Sequence, residues 1–119
     1  MAKIKANEAL VKALQAWDID HLYGIPGDSI DAVVDSLRTV RDQFKIYHVR
    51  HEEVASLAAG SYTKITGKIG VALSIGGPGL VHLLNGMYDA KMDSVPQLII
   101  SGQTNDSLLG CLLYTSPSQ

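Results

Sequence analysis

The sequence predicts an α/β fold, a doubly wound and mostly parallel sheet with helices on both faces. Apolar runs of strand length alternate along the chain with segments of helix length, as in folds assembled from strand-helix-strand units. Two of these runs, residues 69–75 and 96–102, are almost continuously apolar, which is typical of parallel strands covered on both sides. Turns containing glycine and proline separate two of the strands from the helices that follow them.

The first part of the chain predicts a helix, a strand and a second helix. Residues 6–17 carry apolar side chains at helical spacing with charged residues between them, so we expect an amphipathic helix. The apolar run 21–25 predicts a strand that stops at a Pro-Gly pair. Asp28 or Ser29 is then expected to cap the next helix, whose apolar residues extend to Leu37.

The rest of the chain repeats this order of elements. Residues 44–49 alternate as a strand, and residues 52–64 predict a helix rich in small side chains, which allow close packing on a sheet. A strand at 69–75, a helix at 80–91 and a strand at 96–102 follow. In such sheets ligands bind at the carboxyl ends of the strands, so we look for function in the turns after each strand.

The composition limits the classes of partner. A chain of 119 residues fits one domain, and ten basic against twelve acidic side chains, with no basic cluster, exclude a nucleic-acid binder. Apolar runs fall short of the ~20 residues that cross a bilayer, and the start has no export signal, so we expect a cytoplasmic protein. The single cysteine, Cys111, excludes an internal disulfide.

Two glycine-rich turns, residues 24–27 and 76–79, precede predicted helices, a position that favours anions. The G-x-G-x-x-G pattern fails at His82, and no P-loop sequence is present. Pro26 and Pro78 lack the amide that a phosphate nest uses, whereas their rings offer flat apolar walls to a planar ligand. On local grounds these segments are equally well explained as tight structural turns.

Glu52 and Glu53 open a predicted helix, where most carboxylates only stabilise the helix dipole. Glu52, however, follows what we predict to be a central strand and precedes apolar residues, so we expect burial to raise its affinity for a proton. An acid in that setting, beside a heterocycle, is a proton-transfer group.

The histidines leave further interpretations open. His48, His51 and Glu52 fit no zinc motif and are divided by the strand boundary, so no metal site is predicted. His82 is interpreted either as a hydrogen-bonded helix residue or as a polar group that projects into the crevice. We also expect three aromatic residues on apolar faces to be core residues: Trp17, Tyr47 and Tyr88.

Several of these segments together resemble the pyrimidine-binding domain of thiamine-diphosphate-dependent enzymes. The matching runs are HLYGIPG at 21–27, VRHEEVA at 49–55, TGK at 66–68 and GPG at 77–79. The run HLLNGMYDA at 82–90, followed by Val95-Pro96, is most similar to bacterial pyruvate oxidases, including those that pass electrons to a quinone. Acetolactate synthases usually carry Asn where this chain has His82.

The resemblance implies a chemistry for this chain. Glu52 would be the acid whose hydrogen bond to the aminopyrimidine ring favours its imino tautomer, and His82 would reach the substrate region. The reaction would be oxidative decarboxylation of pyruvate, giving acetate or acetyl phosphate, with the cofactor as electron sink. The pyrimidine pocket would be lined by Ile25, Pro26, Gly27 and Pro78.

The resemblance also implies parts that this sequence does not encode. In the family a second subunit's domain binds the diphosphate and Mg²⁺, and a middle domain holds FAD. The parent enzyme would then be a homodimer or homotetramer, with peripheral membrane association if it is linked to quinone. We expect the domain to occupy residues 1–110, and residues 111–119 to be a non-native tail resembling a translated sequencing adapter. The fragment alone is expected to be inactive.

Two other functions stay open at this stage. The same cofactor supports carboligation, as in acetolactate synthase. A doubly wound sheet could also be a non-catalytic nucleotide-binding module, although the incomplete phosphate fingerprints weigh against that interpretation.

Overall fold

The computed structural model describes residues 3–108, which form a four-stranded sheet and four α-helices. The helices are α1 (Ala6–Ala16), α2 (Asp31–Thr39), α3 (Glu52–Thr66) and α4 (Pro78–Met92). The strands are β1 (His21–Gly24), β2 (Lys45–His48), β3 (Gly70–Ser74) and β4 (Gln97–Ser101). The predicted order of helices and strands is confirmed. The expected tail at 111–119 lies outside the described residues.

All four strands are parallel and lie in the order β2-β1-β3-β4. The chain leaves β1 toward β2 on one side and then crosses to β3 on the other, so the strand order reverses between β1 and β3. This switch point is where doubly wound sheets hold ligands. The expectation that Glu52 follows a central strand is wrong within the described residues, because β2 lies at an edge of this sheet.

Helices cover both faces of the sheet, as predicted, and each face has its own core. Successive residues of a strand point to opposite faces. Val71 and Leu73 of β3 accordingly belong to a core that includes α1 and α2, whereas Ala72 packs in a second core with α3 and α4. Three of the four buried residues of the second core are alanines, and the fourth is leucine: Ala55, Ala59, Ala72 and Leu83.

Small residues bring α3 close to α4 and to the sheet. A Cβ atom on Gly86 of α4 would lie 2.5 Å from the Ser56 side chain of α3. A Cβ atom on Gly70 would lie 2.1 Å from the carbonyl oxygen of Ala59. Both distances are shorter than packed atoms allow, so glycine is required at each position. Helices α3 and α4 are therefore held firmly against each other.

The expectation that three aromatic residues belong to the core is wrong. The exposed fractions of Trp17, Tyr47 and Tyr88 are 67%, 44% and 65%. Trp17 caps the carboxyl end of α1 and lies outside the helical repeat. Tyr47 belongs to the edge strand β2, and Tyr88 is exposed on α4.

The expected cap of the second helix is also wrong. Residues Asp28–Ile30 form a 3₁₀ turn, and α2 begins at Asp31 without a side-chain cap. The hydroxyl of Ser29 instead accepts a hydrogen bond from the amide of Gly76, at 3.1 Å. Ser29 therefore joins the turns that follow β1 and β3.

None of the described helices combines the length and hydropathy needed to cross a membrane.

Candidate functional site

A cleft of about 620 Å³ lies at the carboxyl ends of β1 and β3, at the switch point of the sheet. Its walls come from the turns that follow three strands and from the first turns of α3 and α4. The structure brings all six sequence-predicted site residues into this cleft: Ile25, Pro26, Gly27, Glu52, Pro78 and His82. Their roles in catalysis and binding stay predictions.

The two Pro-Gly turns pack directly against each other. A Cβ atom on Gly27 would lie 2.4 Å from Cγ2 of Ile75, so only glycine allows this approach. Gly77 has φ +65° and ψ −123°, a conformation that residues with a side chain rarely adopt. Pro78 then occupies the first position of α4, where its missing amide costs no hydrogen bond. These turns fix the two apolar walls of the cleft.

The fourth strand adds a wall that sequence reasoning missed. The amide of Gly102 donates a hydrogen bond to the carbonyl of Ser74, 3.0 Å away, which carries the chain past the end of β3. Gln103 and Thr104 thereby line the cleft. Their position after a predicted parallel strand was a usable signal, but the segment has no glycine or proline to draw attention to it.

Glu52 is the first residue of α3, and its side chain is 14% exposed. The preceding residue, His51, caps the helix by accepting a hydrogen bond from the amide of Glu53 through Nδ1, at 3.3 Å. This cap fixes the start of α3, and with it the point from which the Glu52 carboxylate enters the cleft. The site therefore contains one largely buried carboxylate.

The pKa of Glu52 differs from the expectation. Burial raises it, but the hydrogen bond to His82, a backbone hydrogen bond and the nearby imidazoles of His82 and His51 together lower the pKa below its usual value. The expectation that burial would raise the proton affinity of Glu52 is therefore wrong for this state of the protein. His82, whose hydrogen bond lowers this pKa, belongs to α4, which begins 26 residues after Glu52.

His82 projects into the cleft, as the second of its two interpretations predicted. Its Nδ1 lies 2.9 Å from Oε2 of Glu52, and 45% of its side chain is exposed. The ring also stacks on His51, with ring centroids 4.5 Å apart and an angle of 29° between the planes. Of the three residues considered together as metal ligands, only Glu52 lines the cleft, whereas His48 and His51 do not. A carboxylate and two imidazoles thus meet at one mouth of the cleft.

The composition of the cleft favours a planar, uncharged group over an anion. Two proline rings and Ile25 supply apolar surface, and Glu52 supplies a hydrogen-bond partner. None of the residues lining the cleft is Lys or Arg, so a diphosphate would have no cationic partner there. The volume falls within the range of small-molecule sites, ~300–1,000 Å³.

Comparison with known proteins agrees with this geometry. Residues 4–117 match the family model described as thiamine pyrophosphate enzyme, N-terminal TPP binding domain. The chain is 54% identical over 110 residues to the thiamine pyrophosphate-containing protein YdaP of Bacillus subtilis (strain 168). That match covers 92% of this chain and 19% of YdaP.

Two further relatives bear on the reaction. The chain is 52% identical over 100 residues to a pyruvate oxidase of Lactiplantibacillus plantarum, covering 84% of this chain and 17% of the relative. It is 39% identical over 110 residues to the acetolactate synthase large subunit of Buchnera aphidicola subsp. Schizaphis graminum, covering 92% and 19%. The chain thus spans about a fifth of the length of these curated relatives. Since the family model covers nearly the whole sequence, the chain belongs to the thiamine pyrophosphate enzymes and carries their N-terminal TPP binding domain.

Proposed function

We propose that this domain binds the aminopyrimidine ring of thiamine diphosphate in an enzyme that oxidatively decarboxylates pyruvate to acetate or acetyl phosphate. The observation that carries the proposal is the Glu52 carboxylate, largely buried in the wall of a cleft between two Pro-Gly turns. A carboxyl group in that position can exchange a proton with a ring nitrogen.

The residues of the cleft fit the pyrimidine half of the cofactor. Pro26 and Pro78 would contact the faces of the ring, Ile25 and Gly27 would complete the apolar wall, and Glu52 would hold the ring nitrogen. When bound, the cofactor supplies the electron sink for decarboxylation. Since the lining of the cleft has no Lys or Arg, the diphosphate and its Mg²⁺ would be held by another domain. A third domain would hold FAD.

Pyruvate oxidation is proposed ahead of carboligation for two reasons. Identity to the pyruvate oxidase is 52%, against 39% to the acetolactate synthase large subunit from Buchnera. His82 lies beside Glu52 at the mouth of the cleft, where it would approach the substrate. Carboligation is the second candidate, supported by several acetolactate synthases among the relatives.

A second subunit would complete the site. Helices α3 and α4 expose a group of large apolar side chains: Val54, Leu57, Leu80, Val81, Leu84, Tyr88 and Met92. This surface, here called the α3/α4 apolar face, lies on the two helices that begin at the cleft. A clustered apolar surface of this kind marks a protein-binding region. We assign it to the diphosphate-binding domain of the partner subunit.

A chimaeric enzyme tests the proposed function. Residues 4–108 of this chain would replace the matching segment of the Lactiplantibacillus plantarum pyruvate oxidase, and pyruvate consumption would be measured with thiamine diphosphate, Mg²⁺ and FAD. We expect activity in the chimaera and a loss of at least about 100-fold on Glu52→Gln, since proton transfer by a positioned acid contributes ~10²–10⁴-fold. A fully active Glu52→Gln chimaera would refute the role of Glu52.

The products of the same chimaera separate the two reactions. Oxidation gives acetate or acetyl phosphate and reduces an electron acceptor, whereas carboligation gives acetolactate and consumes none. Acetolactate as the main product would favour the second candidate. Glu52→Asp is the matched control for Glu52→Gln, because it keeps the carboxyl group on a shorter side chain.

A further inference from the structure

His51, Glu52 and His82 form a cluster of side chains that can bind metal ions. One ligand atom from each of the three side chains can be chosen so that all lie within 4.8 Å of one another. Among the described residues, this is the one place where three His, Cys, Asp or Glu side chains converge in this way. We propose that these residues form a site for a divalent transition-metal ion of the Zn²⁺ or Co²⁺ class. The proposal revises the expectation that the chain has no metal site.

The donor set selects the class of metal. Two imidazole nitrogens and one carboxylate oxygen are the ligands of open zinc sites, in which a water or substrate takes the fourth position. Imidazole suits Zn²⁺, Cu²⁺ and Ni²⁺, whereas Mg²⁺ and Ca²⁺ require several oxygen ligands. His82 lines the cleft and His51 stacks on it, and their side chains are 45% and 49% exposed, so an ion can enter from solvent.

Small side-chain movements close the site. An ion at the centre of three atoms 4.8 Å apart lies about 2.8 Å from each of them, while zinc bonds to nitrogen and oxygen are ~2.0–2.2 Å long. Each ligand atom therefore moves inward by less than about 1 Å. To direct their nitrogens at one ion, the rings of His51 and His82 have to turn out of their mutual stacking. Their exposure to solvent leaves room for this movement.

The backbone that carries the three ligands is already in place. His51 and Glu52 begin α3, and His82 lies near the start of α4. Contact between Gly86 and Ser56 holds the two helices together, so the ligands need no rearrangement of the fold. The positive end of the α3 dipole opposes a cation, but the carboxylate of Glu52 supplies a negative charge within the cluster.

Metal binding does not depend on the proposed function, but one consequence does. Glu52 would contribute the same carboxylate to the ion and to the pyrimidine ring. If the proposed function holds, the ion and the cofactor exclude each other, and transition metals inhibit the enzyme by occupying the cleft.

Metal titration of the 119-residue chain tests the proposal. Co²⁺ would be added while its visible absorption is recorded, and Zn²⁺ would then be added to displace it. We expect one Co²⁺ per chain with the intense spectrum of a four- or five-coordinate site, displacement by Zn²⁺, and no competition from Mg²⁺. Absence of saturable Co²⁺ binding would overturn the proposal.

Three matched variants locate the ion. His51→Asn keeps a residue that caps helices well, and His82→Asn introduces the residue usual in acetolactate synthases. Each is expected to weaken Co²⁺ binding at least tenfold. His48→Asn removes a nearby exposed histidine outside the cluster and should leave the affinity unchanged. Equal losses in all three variants, or none in the first two, would contradict the assignment, provided that far-UV circular dichroism matches the parent chain.

Discussion

The interaction between His82 and Glu52 sets the charge of the cleft. Nδ1 of His82 and Oε2 of Glu52 are 2.9 Å apart, and this contact opposes the effect of burial on the carboxyl group. In the absence of a ligand, the acid is therefore held in its ionised form. In the proposed function, a bound ring that accepts a proton from Glu52 requires the protonated carboxyl group, and hence a higher pKa of Glu52 than in this state. The ligand-free geometry thus describes the state that cofactor binding must change.

Replacing His82 by Ala is predicted to raise the pKa of Glu52. The variant removes the hydrogen bond and the neighbouring imidazole, while burial, which raises the pKa, is largely retained. Carboxyl carbon shifts recorded by NMR across acidic pH measure the change. A pKa that is unchanged or lower in His82→Ala would contradict this account. His48→Ala provides the control, because His48 is absent from the interactions that shift Glu52.

Asp20 is the second residue whose ionisation bears on the fold. Its Oδ1 accepts hydrogen bonds from Nδ1 of His21 at 2.7 Å and from the hydroxyl of Tyr62 at 2.9 Å. Burial raises the pKa of Asp20, but these bonds and nearby positive charge lower it to about 2. Tyr62 belongs to α3 and His21 to β1, so the carboxylate joins these two elements at the end of the sheet opposite the cleft.

Asp20→Asn is predicted to destabilise the chain near neutral pH. The folded pKa of about 2 lies below the unfolded value of ~3.9, so the carboxylate stabilises the fold above pH ~4, and this contribution is lost as the pH falls toward 2. Because the side chain is 37% exposed, we expect only about 1 kcal/mol at pH 7. Urea unfolding at pH 7 and pH 2.5 measures it. A difference between parent and variant that grows on acidification would contradict the assignment.

At the scale of elements, the crossing of α3 and α4 positions the site. Glu52 and His82 lie near the starts of these helices, and Gly86 allows them to approach each other. A wider separation of the helices would move the histidine away from the carboxylate. Packing in the second core and the geometry of the cleft are therefore linked.

Gly86→Ala is predicted to destabilise the chain and Gly60→Ala to stabilise it. A Cβ atom on Gly86 would lie 2.5 Å from Ser56, an overlap that typically costs ~1–3 kcal/mol. A Cβ atom on Gly60 has its nearest neighbours at 3.7 Å, so alanine there should contribute ~0.5–1 kcal/mol through helix propensity. Urea midpoints measure both changes. Equal effects of the same sign would contradict the packing described here.

The helices and strands followed from the sequence because their apolar spacing is a local property. The contacts between them did not. Ser29 was predicted to cap a helix, yet its hydroxyl bonds to Gly76, 47 residues away. The pKa of Glu52 was predicted from burial, but it depends on a histidine of another helix. Single-sequence patterns indicate which segments meet at the end of a sheet, and only coordinates identify the atoms that pair.

At the scale of the whole molecule, the two faces of the domain are covered differently. The core under α1 and α2 contains leucine, valine and phenylalanine side chains, whereas the core under α3 and α4 is made mostly of alanine. Large apolar side chains of α3 and α4 are instead exposed on the α3/α4 apolar face. This asymmetry matches a domain that completes its burial against another protein surface.

In the chimaeric enzyme, Leu84→Glu is predicted to reduce association between subunits through the α3/α4 apolar face. Leu84 is 50% exposed on α4, and a charge there opposes burial of the face. Trp17→Glu is the matched control, because Trp17 is 67% exposed at the end of α1. Sedimentation velocity measures the fraction of monomer. Equal effects of the two substitutions would show that the association does not use this face.

In the proposed function, Glu52 contacts the pyrimidine ring of thiamine diphosphate in the cleft between the two Pro-Gly turns. The most direct measurement is a crystal structure of the chimaeric enzyme with the cofactor bound. We predict a carboxylate oxygen of Glu52 within hydrogen-bonding distance, ~2.6–3.2 Å, of a ring nitrogen, with the ring between Pro26 and Pro78. A ring bound outside this cleft, or a Glu52 side chain directed into solvent, would contradict the account.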